Sequence, residues 1–134
     1  MQIAVDRIFL AKKRGEKITI HGDYDADGVS AAVILASIFK VLGIVYEVFL
    51  PHRETAGYGL NINTVKLLAG NQTNIIITCD CGIGNREEIA AAKASGMDVI
   101  VTDHHAIPAE LPPALAIIHP KVVGETYPDK TLAG

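Results

Sequence analysis

The chain has 134 residues, of which 49% are hydrophobic, so it can form one globular domain with a buried core and is not an intrinsically disordered chain. Its formal net charge of −3 gives no overall attraction for nucleic acid, which would have to be bound by a local basic patch or by basic surface outside this chain. A membrane span is excluded because Lys40 and Glu47 interrupt the longest apolar candidate.

Helices and strands alternate in the predicted secondary structure. In chain order the pattern predicts helix 3–13, strand 17–21, helix 29–42, strand 45–50, helix 61–69, strand 74–79, helix 85–95, strand 98–102 and strand 115–118. The runs 75–77 and 99–101 are apolar on both faces, as is typical of strands covered by helices on both sides. This alternation predicts an α/β fold with an open, mainly parallel, five-stranded sheet and helices on both faces, which is a doubly wound arrangement.

Each strongly polar cluster follows the end of a predicted strand. The clusters are HGDYDAD at 21–27, TCDCG at 78–82 and TDHH at 102–105. In open parallel sheets the carboxyl ends of the strands line the crevice in which ligands bind. We therefore expect the three clusters to converge on one edge of the sheet.

The first cluster places three carboxylates within five positions. Asp23, Asp25 and Asp27 have the spacing that opens a calcium-binding EF-hand loop, but that loop needs Glu at its twelfth position, where this chain has Ile34, and a preceding helix instead of a strand. A turn that caps the next helix through Asp27 or Ser30 would explain one carboxylate and not three. Because like charges repel, the cluster indicates bound cations that neutralise it.

The second cluster contains two cysteines on either side of Asp80. Two cysteines cannot complete a structural zinc site, and the sequence has no second pair. Alternation along a strand predicts that Cys79 and Cys81 are small buried thiols that flank an exposed carboxylate. The thiols are too close for an ordinary disulfide, and the N-terminus lacks a secretory cleavage pattern, which together predict a cytoplasmic protein.

The third cluster joins Asp103 to two adjacent histidines, His104 and His105. Histidine and aspartate without soft ligands suit Mn²⁺ or Mg²⁺, and imidazole favours manganese. Two such ions roughly 3.5–4 Å apart, bridged by one carboxylate, are the arrangement used for in-line displacement at phosphorus.

Together, GDYDADG, TCDCGI and VTDHH resemble the first three signature motifs of the DHH phosphoesterase family. The stretch LPHRETAGYGLN, with the later HPK, is similar to the RecJ-type branch of single-stranded-DNA-specific exonucleases. The resemblance runs from about residue 17 to the C-terminus. It implies a metal-dependent phosphodiesterase, most closely a 5′-to-3′ exonuclease on single-stranded DNA in DNA repair and recombination.

The resemblance also implies roles for individual residues. One Mn²⁺ would be held by His21 and Asp25 and a second by Asp27 and His104, with Asp80 as the bridge and Mg²⁺ as a possible substitute. His105 would face the scissile phosphate, where a protonated imidazole stabilises developing charge. Asp103 would orient a neighbouring histidine, and Asp23 would serve as a metal ligand or support one.

Three residues near the end of the second predicted strand are candidate substrate contacts. Arg53, Tyr58 and Gly59 would contact a phosphate or stack on a base, and the alternative is an ordinary surface turn with an exposed arginine.

The sequence departs from the family pattern because it lacks the fourth aspartate motif and the C-terminal domain. We therefore expect residues 1–134 to be the N-terminal portion of a larger DHH phosphoesterase, ending before that fourth motif. Other repair proteins are candidate partners of the longer enzyme. Two alternatives stay open, namely a phosphodiesterase of the same family for short oligonucleotides or cyclic dinucleotides, and a metal-binding fragment that is inactive in isolation.

Overall fold

A computed structural model describes residues 1–51 and 59–132. Within these ranges the elements are α1 (Gln2–Arg14), β1 (Ile18–Gly22), α2 (Ala26–Leu42), β2 (Tyr46–Phe49), α3 (Ile62–Gly70), β3 (Ile75–Cys79), α4 (Arg86–Ala94), β4 (Asp98–Thr102) and β5 (Ala116–Ile118). Among the described residues, no helix combines the length and the apolar character needed to cross a bilayer.

The described strands form one sheet in the order β2-β1-β3-β4-β5, and every pairing is parallel. The predicted open parallel sheet is therefore confirmed. From β1 the chain first moves outward to β2 and then returns to the other side of β1 to build β3, β4 and β5. This reversal leaves a crevice at the carboxyl ends of β1 and β3, which is where ligands bind in folds of this kind.

Helices cover both faces of the sheet, as predicted. On one face, buried side chains of α1 and α2 pack against Ile18, Ile20, Ile75 and Ile77. On the other face, α3 and α4 pack against a second apolar cluster, which includes Ile76 of β3. Neighbouring isoleucines of β3 thus pack into opposite cores, which explains why three isoleucines follow one another in this strand.

Candidate metal centre

The polar clusters meet at the carboxyl edge because the strand ends are in register. The last residues of β1, β3 and β4 lie side by side, so the residue that follows each strand, an aspartate in all three cases, starts at the same level. The backbone N–H of Asp23 donates to the Cys79 carbonyl at 3.1 Å, and that of Asp80 donates to the Thr102 carbonyl at 3.0 Å. The sheet ladder therefore continues into the candidate site and orders its backbone.

Asp25 caps the N-terminus of α2, the helix that follows β1. Its carboxylate accepts hydrogen bonds from the N–H groups of Asp27 at 3.1 Å and Gly28 at 3.0 Å. The helix cap is thus Asp25 and not Asp27 or Ser30, and α2 starts at Ala26, three residues before the predicted start. The Gly28 N–H is the largest of the interactions that lower the pKa of Asp25, so this exposed carboxylate stays ionised.

Asp80 is buried, with 1% of its surface exposed, so the prediction of an exposed carboxylate between the two thiols was wrong. The reason is that β3 ends at Cys79 and Asp80 adopts a left-handed backbone conformation with φ of 63°, which breaks the strand alternation on which the prediction relied. Burial raises the pKa of Asp80 to about 6, and the negative charge of Asp25 adds to this increase. A bound cation would reverse this effect by stabilising the ionised carboxylate.

The two histidines lie against separate carboxylates. His104 Nε2 is 3.0 Å from Asp80 Oδ1, and His105 Nδ1 is 2.8 Å from Asp103 Oδ1 and 4.0 Å from Asp80 Oδ1. The side chain of His104 is 27% exposed and that of His105 is 43% exposed, so both border solvent.

Asp103 holds the backbone of both histidines. Its carboxylate accepts the N–H groups of His104 at 2.7 Å, His105 at 3.0 Å and Ile83 at 2.9 Å. Burial alone would raise the pKa of Asp103, but these hydrogen bonds and the one from the His105 ring outweigh it and lower the pKa. Because the ionised carboxylate can only accept, His105 Nδ1 carries the hydrogen that it donates to Asp103. This geometry is the one that the predicted orienting role of Asp103 requires.

Two groups of potential metal ligands occur within the described ranges. Asp80, His104 and His105 form one, and Asp23, Asp25 and Asp80 form the other; within each group the ligand atoms lie within 4.8 Å of one another. Asp80 belongs to both groups, as a bridging ligand must. Carboxylates and imidazoles at this spacing fit Mn²⁺ or Mg²⁺.

His21 and Asp27, which the sequence resemblance assigns as ligands, belong to neither of these groups. Asp27 is exposed in the first turn of α2. His21 is fully buried, its ring stacks on Phe49 with centroids 5.6 Å apart, and its Nδ1 lies 3.7 Å from Cys81 Sγ. Burial lowers the pKa of His21 to about 4. Its Nε2 has no hydrogen-bond partner in the part of the chain that the structure describes, and a buried, neutral nitrogen of this kind fits a cation.

The two thiols are buried, and no disulfide joins them. Burial raises the pKa of Cys79 to about 11 and raises that of Cys81 further. Since metals bind thiolates, these protonated thiols fit the predicted structural role beside the site.

The candidate substrate contacts are described only in part. Arg53 and Tyr58 lie outside the described residues. Gly59 is buried with φ of 74°, and a Cβ at this position would lie 2.7 Å from Asn85 Oδ1. Asn85 in turn bonds both backbone groups of Leu60, at 3.2 Å to its N–H and 2.8 Å to its carbonyl. Gly59 therefore packs closely against the turn before α4, and its contact with substrate stays a prediction.

Two residues that follow β5 contact the backbone of the histidine pair, and no sequence pattern predicts a role for the first of them, His119. His119 Nε2 lies 3.0 Å from the carbonyl oxygen of His105, and Lys121 Nζ lies 2.7 Å from that of His104. The HPK segment contributed to the family resemblance, but its spacing alone does not indicate that it reaches the TDHH cluster.

Comparison with known proteins gives concordant matches. The model of the DHH family, N-terminal domain, matches residues 17–128. The chain is 43% identical over 134 residues to the single-stranded-DNA-specific exonuclease RecJ of Bacillus subtilis, covering 100% of this chain and 17% of that protein. Identity to RecJ of Thermus thermophilus is 37% over 124 residues, covering 92% of this chain and 18% of the relative. The chain thus spans less than a fifth of the length of these two relatives.

Solved structures also match the fold, among them two crystal structures of RecJ. One is a crystal structure of exonuclease RecJ bound to manganese, with a TM-score of 0.85 and 35% identity over 92% of this chain and 32% of that one. The other is a crystal structure of RecJ from Thermus thermophilus in complex with Mn²⁺, with a TM-score of 0.77 and 32% identity over 97% of this chain and 18% of that one.

Proposed function

Because the chain belongs to the DHH family, we propose that it forms the N-terminal portion of a metal-dependent phosphodiesterase, a 5′-to-3′ exonuclease on single-stranded DNA. The single observation that carries this proposal is the position of Asp80 between two groups of potential metal ligands. The relatives named as single-stranded-DNA-specific exonucleases support the substrate, and the strand polarity follows from the family resemblance.

Two Mn²⁺ ions, or Mg²⁺ in their place, are the proposed cofactors, and the manganese-bound relatives support the choice of metal. Asp80 is the proposed bridge between the two ions. Asp23 and Asp25 would bind one ion together with Asp80, and His104 would bind the other. His21 and Asp27 are proposed as further ligands. When bound, such ions supply Lewis-acid activation of water and balance charge on the phosphoryl oxygens.

The residues of the chain would divide the remaining work. Asp103 holds the Nδ1–H of His105, so a proton exchanged with the substrate would move through His105 Nε2. A protonated His105 would stabilise charge on the scissile phosphate. Arg53, Tyr58 and Gly59 are the proposed contacts to the flanking nucleotides.

Cellular context is also part of the proposal. Two protonated, unlinked thiols fit a cytoplasmic protein. A role in DNA repair and recombination, together with other repair proteins, follows from the family resemblance.

Calorimetric titration of this chain with Mn²⁺ tests the metal centre. We expect two Mn²⁺ ions per chain in the wild type and weaker binding in Asp80→Asn. Absence of Mn²⁺ binding by the complete protein would contradict both the exonuclease and the metal-binding alternative.

A chimera tests the reaction. Replacing the matching portion of Bacillus subtilis RecJ with this chain should give a protein that releases nucleotides from the 5′ end of a labelled single strand only with Mn²⁺ or Mg²⁺, and the same chimera with Asp80→Asn should not. A folded, Mn²⁺-binding chimera that cleaves short or cyclic dinucleotides in preference to longer strands would favour the small-substrate alternative.

A further inference from the structure

His119 connects the end of β5 to the histidine pair of the candidate site. It is 2% exposed. Its Nε2 lies 3.0 Å from the carbonyl oxygen of His105, and its Nδ1 lies 3.1 Å from the backbone nitrogen of Lys121. Both ring nitrogens are therefore used, each on a backbone group.

The two partners determine which nitrogen carries the hydrogen. The carbonyl of His105 can only accept, so His119 Nε2 must donate. The N–H of Lys121 can only donate, so His119 Nδ1 must accept. The contacts thus require a neutral ring with its hydrogen on Nε2.

These contacts complete the support of a backbone segment that lies outside the helices and strands. The N–H groups of His104 and His105 both donate to Asp103. Their carbonyl groups accept as well, that of His105 from His119 and that of His104 from Lys121. Hydrogen bonds to both the N–H and the carbonyl groups of a short segment restrict its rotation, and with it the directions of its side chains.

We propose that His119 is a positioning residue that, through the His105 carbonyl, holds the rings of His104 and His105 beside Asp80. This inference rests on the proposed metal centre. Losing the hydrogen bond would leave the His105 carbonyl without this donor and let the histidine pair move away from Asp80. Partners that orient metal ligands typically change metal affinity by about 10–100-fold when they are removed.

Two substitutions at His119 separate the two contacts. In His119→Asn, the amide oxygen lies near the former Nδ1 and can still accept from Lys121, but the side chain is too short to reach the His105 carbonyl. In His119→Gln, the amide nitrogen lies near the former Nε2 and can still donate to that carbonyl. The probe is Mn²⁺ alone, titrated by calorimetry into the 134-residue chain, with thermal unfolding of the metal-free chain as a separate readout.

We expect His119→Asn to lower Mn²⁺ affinity by about tenfold, and His119→Gln to stay within about twofold of the wild type. Equal affinity in all three proteins would overturn the inference, and so would an equal loss in both variants, because the hydrogen bond to His105 would then not be the cause. A wild type that binds no Mn²⁺ would instead contradict the proposed metal centre of this chain, on which the inference rests.

A measurement on the wild type keeps the inference testable if His119→Asn does not fold. Nitrogen-15 NMR of the imidazole rings should show His119 as the neutral form with its hydrogen on Nε2. A hydrogen on Nδ1 would overturn the inference, because Nε2 could not then donate to His105.

Discussion

At the scale of single residues, Asp80 belongs to both groups of potential metal ligands, whereas Asp23 belongs to one. We therefore expect Asp80→Asn to weaken Mn²⁺ binding more than Asp23→Asn. At its more affected site, Asp80→Asn should bind Mn²⁺ at least about tenfold more weakly than the wild type. Asparagine keeps the size of the side chain and tolerates the positive φ of position 80. Calorimetry with Mn²⁺ measures both variants, and near-equal stoichiometry and affinity would show that Asp80 is not the bridge.

Two buried groups titrate in the same pH range with opposite effects on the stability of the metal-free protein. Burial raises the pKa of Asp80 from 3.8 to about 6, so the folded state binds more protons there and the contribution of Asp80 to the free energy of unfolding falls as the pH rises through this range. Burial lowers the pKa of His21 from 6.5 to about 4, so the unfolded state binds more protons and the contribution of His21 rises with pH.

Removing Asp80 should therefore expose the effect of His21. We expect the free energy of unfolding of Asp80→Asn to rise between pH 4 and 6.5 by up to about 3 kcal/mol, and that of the wild type to change less. Urea unfolding at several pH values in the presence of a chelator measures both slopes. Parallel curves would mean that Asp80 has no raised pKa.

At the scale of secondary-structure elements, the start of α2 packs directly on the turn after β1. A Cβ at Gly28 would lie 2.5 Å from the backbone nitrogen of Asp23 and 2.7 Å from its Cα. We expect Gly28→Ala to reduce the free energy of unfolding by about 1–3 kcal/mol and to weaken Mn²⁺ binding, because the two segments must move apart.

Gly70 provides the matched control. A Cβ at this last residue of α3 would meet no atom of the described residues within 4 Å. Gly70→Ala should raise the free energy of unfolding by up to about 1 kcal/mol, because alanine has less conformational freedom to lose. Denaturant unfolding compares the two variants, and a similar effect of both would show that α2 does not approach Asp23 closely.

Much of the architecture was predictable because β3 and β4 contain runs that are apolar on both faces and the helices have a regular apolar spacing. The start of α2 was placed three residues late because capping by Asp25 depends on a backbone turn that hydrophobic spacing does not reveal. The turn at Asp80 escaped prediction for a similar reason, since a left-handed aspartate interrupts the strand alternation. The convergence of the three clusters followed from parallel topology, but the contact of His119 with His105 depends on how β5 lies beside β4.

At the scale of the whole molecule, α2 presents an apolar stripe to solvent. Val33, Ile34, Ile38 and Val41 are between 47% and 86% exposed. Apolar surface of this kind favours association, so we expect the chain to self-associate as its concentration rises. Ile34→Lys should reduce this association, whereas Leu67→Lys on α3, where the residue is 50% exposed, should have a smaller effect. Sedimentation analysis measures the mass of all three, and equal association would exclude the α2 stripe as its cause.

The net charge of the molecule limits how well the chain alone can bind and cleave a single strand. Phosphate contacts supply most of the affinity of proteins for single strands, and a net charge of −3 opposes them. Among the described residues, Lys121 is the cation that contacts the TDHH cluster, through the His104 carbonyl. The chain also covers only 17% of the Bacillus subtilis relative. We therefore expect the isolated chain to fold and to bind Mn²⁺ less tightly than the chimera with that relative.

Cleavage of a 5′-labelled single strand, measured at equal protein concentration with Mn²⁺, compares the two. The chimera should release nucleotides, and the isolated chain should release few or none even at low salt, where the attraction between basic side chains and phosphates is strongest. Equal turnover by both would mean that these 134 residues hold and cleave the strand by themselves, and that the basic surface needed for binding lies within this chain.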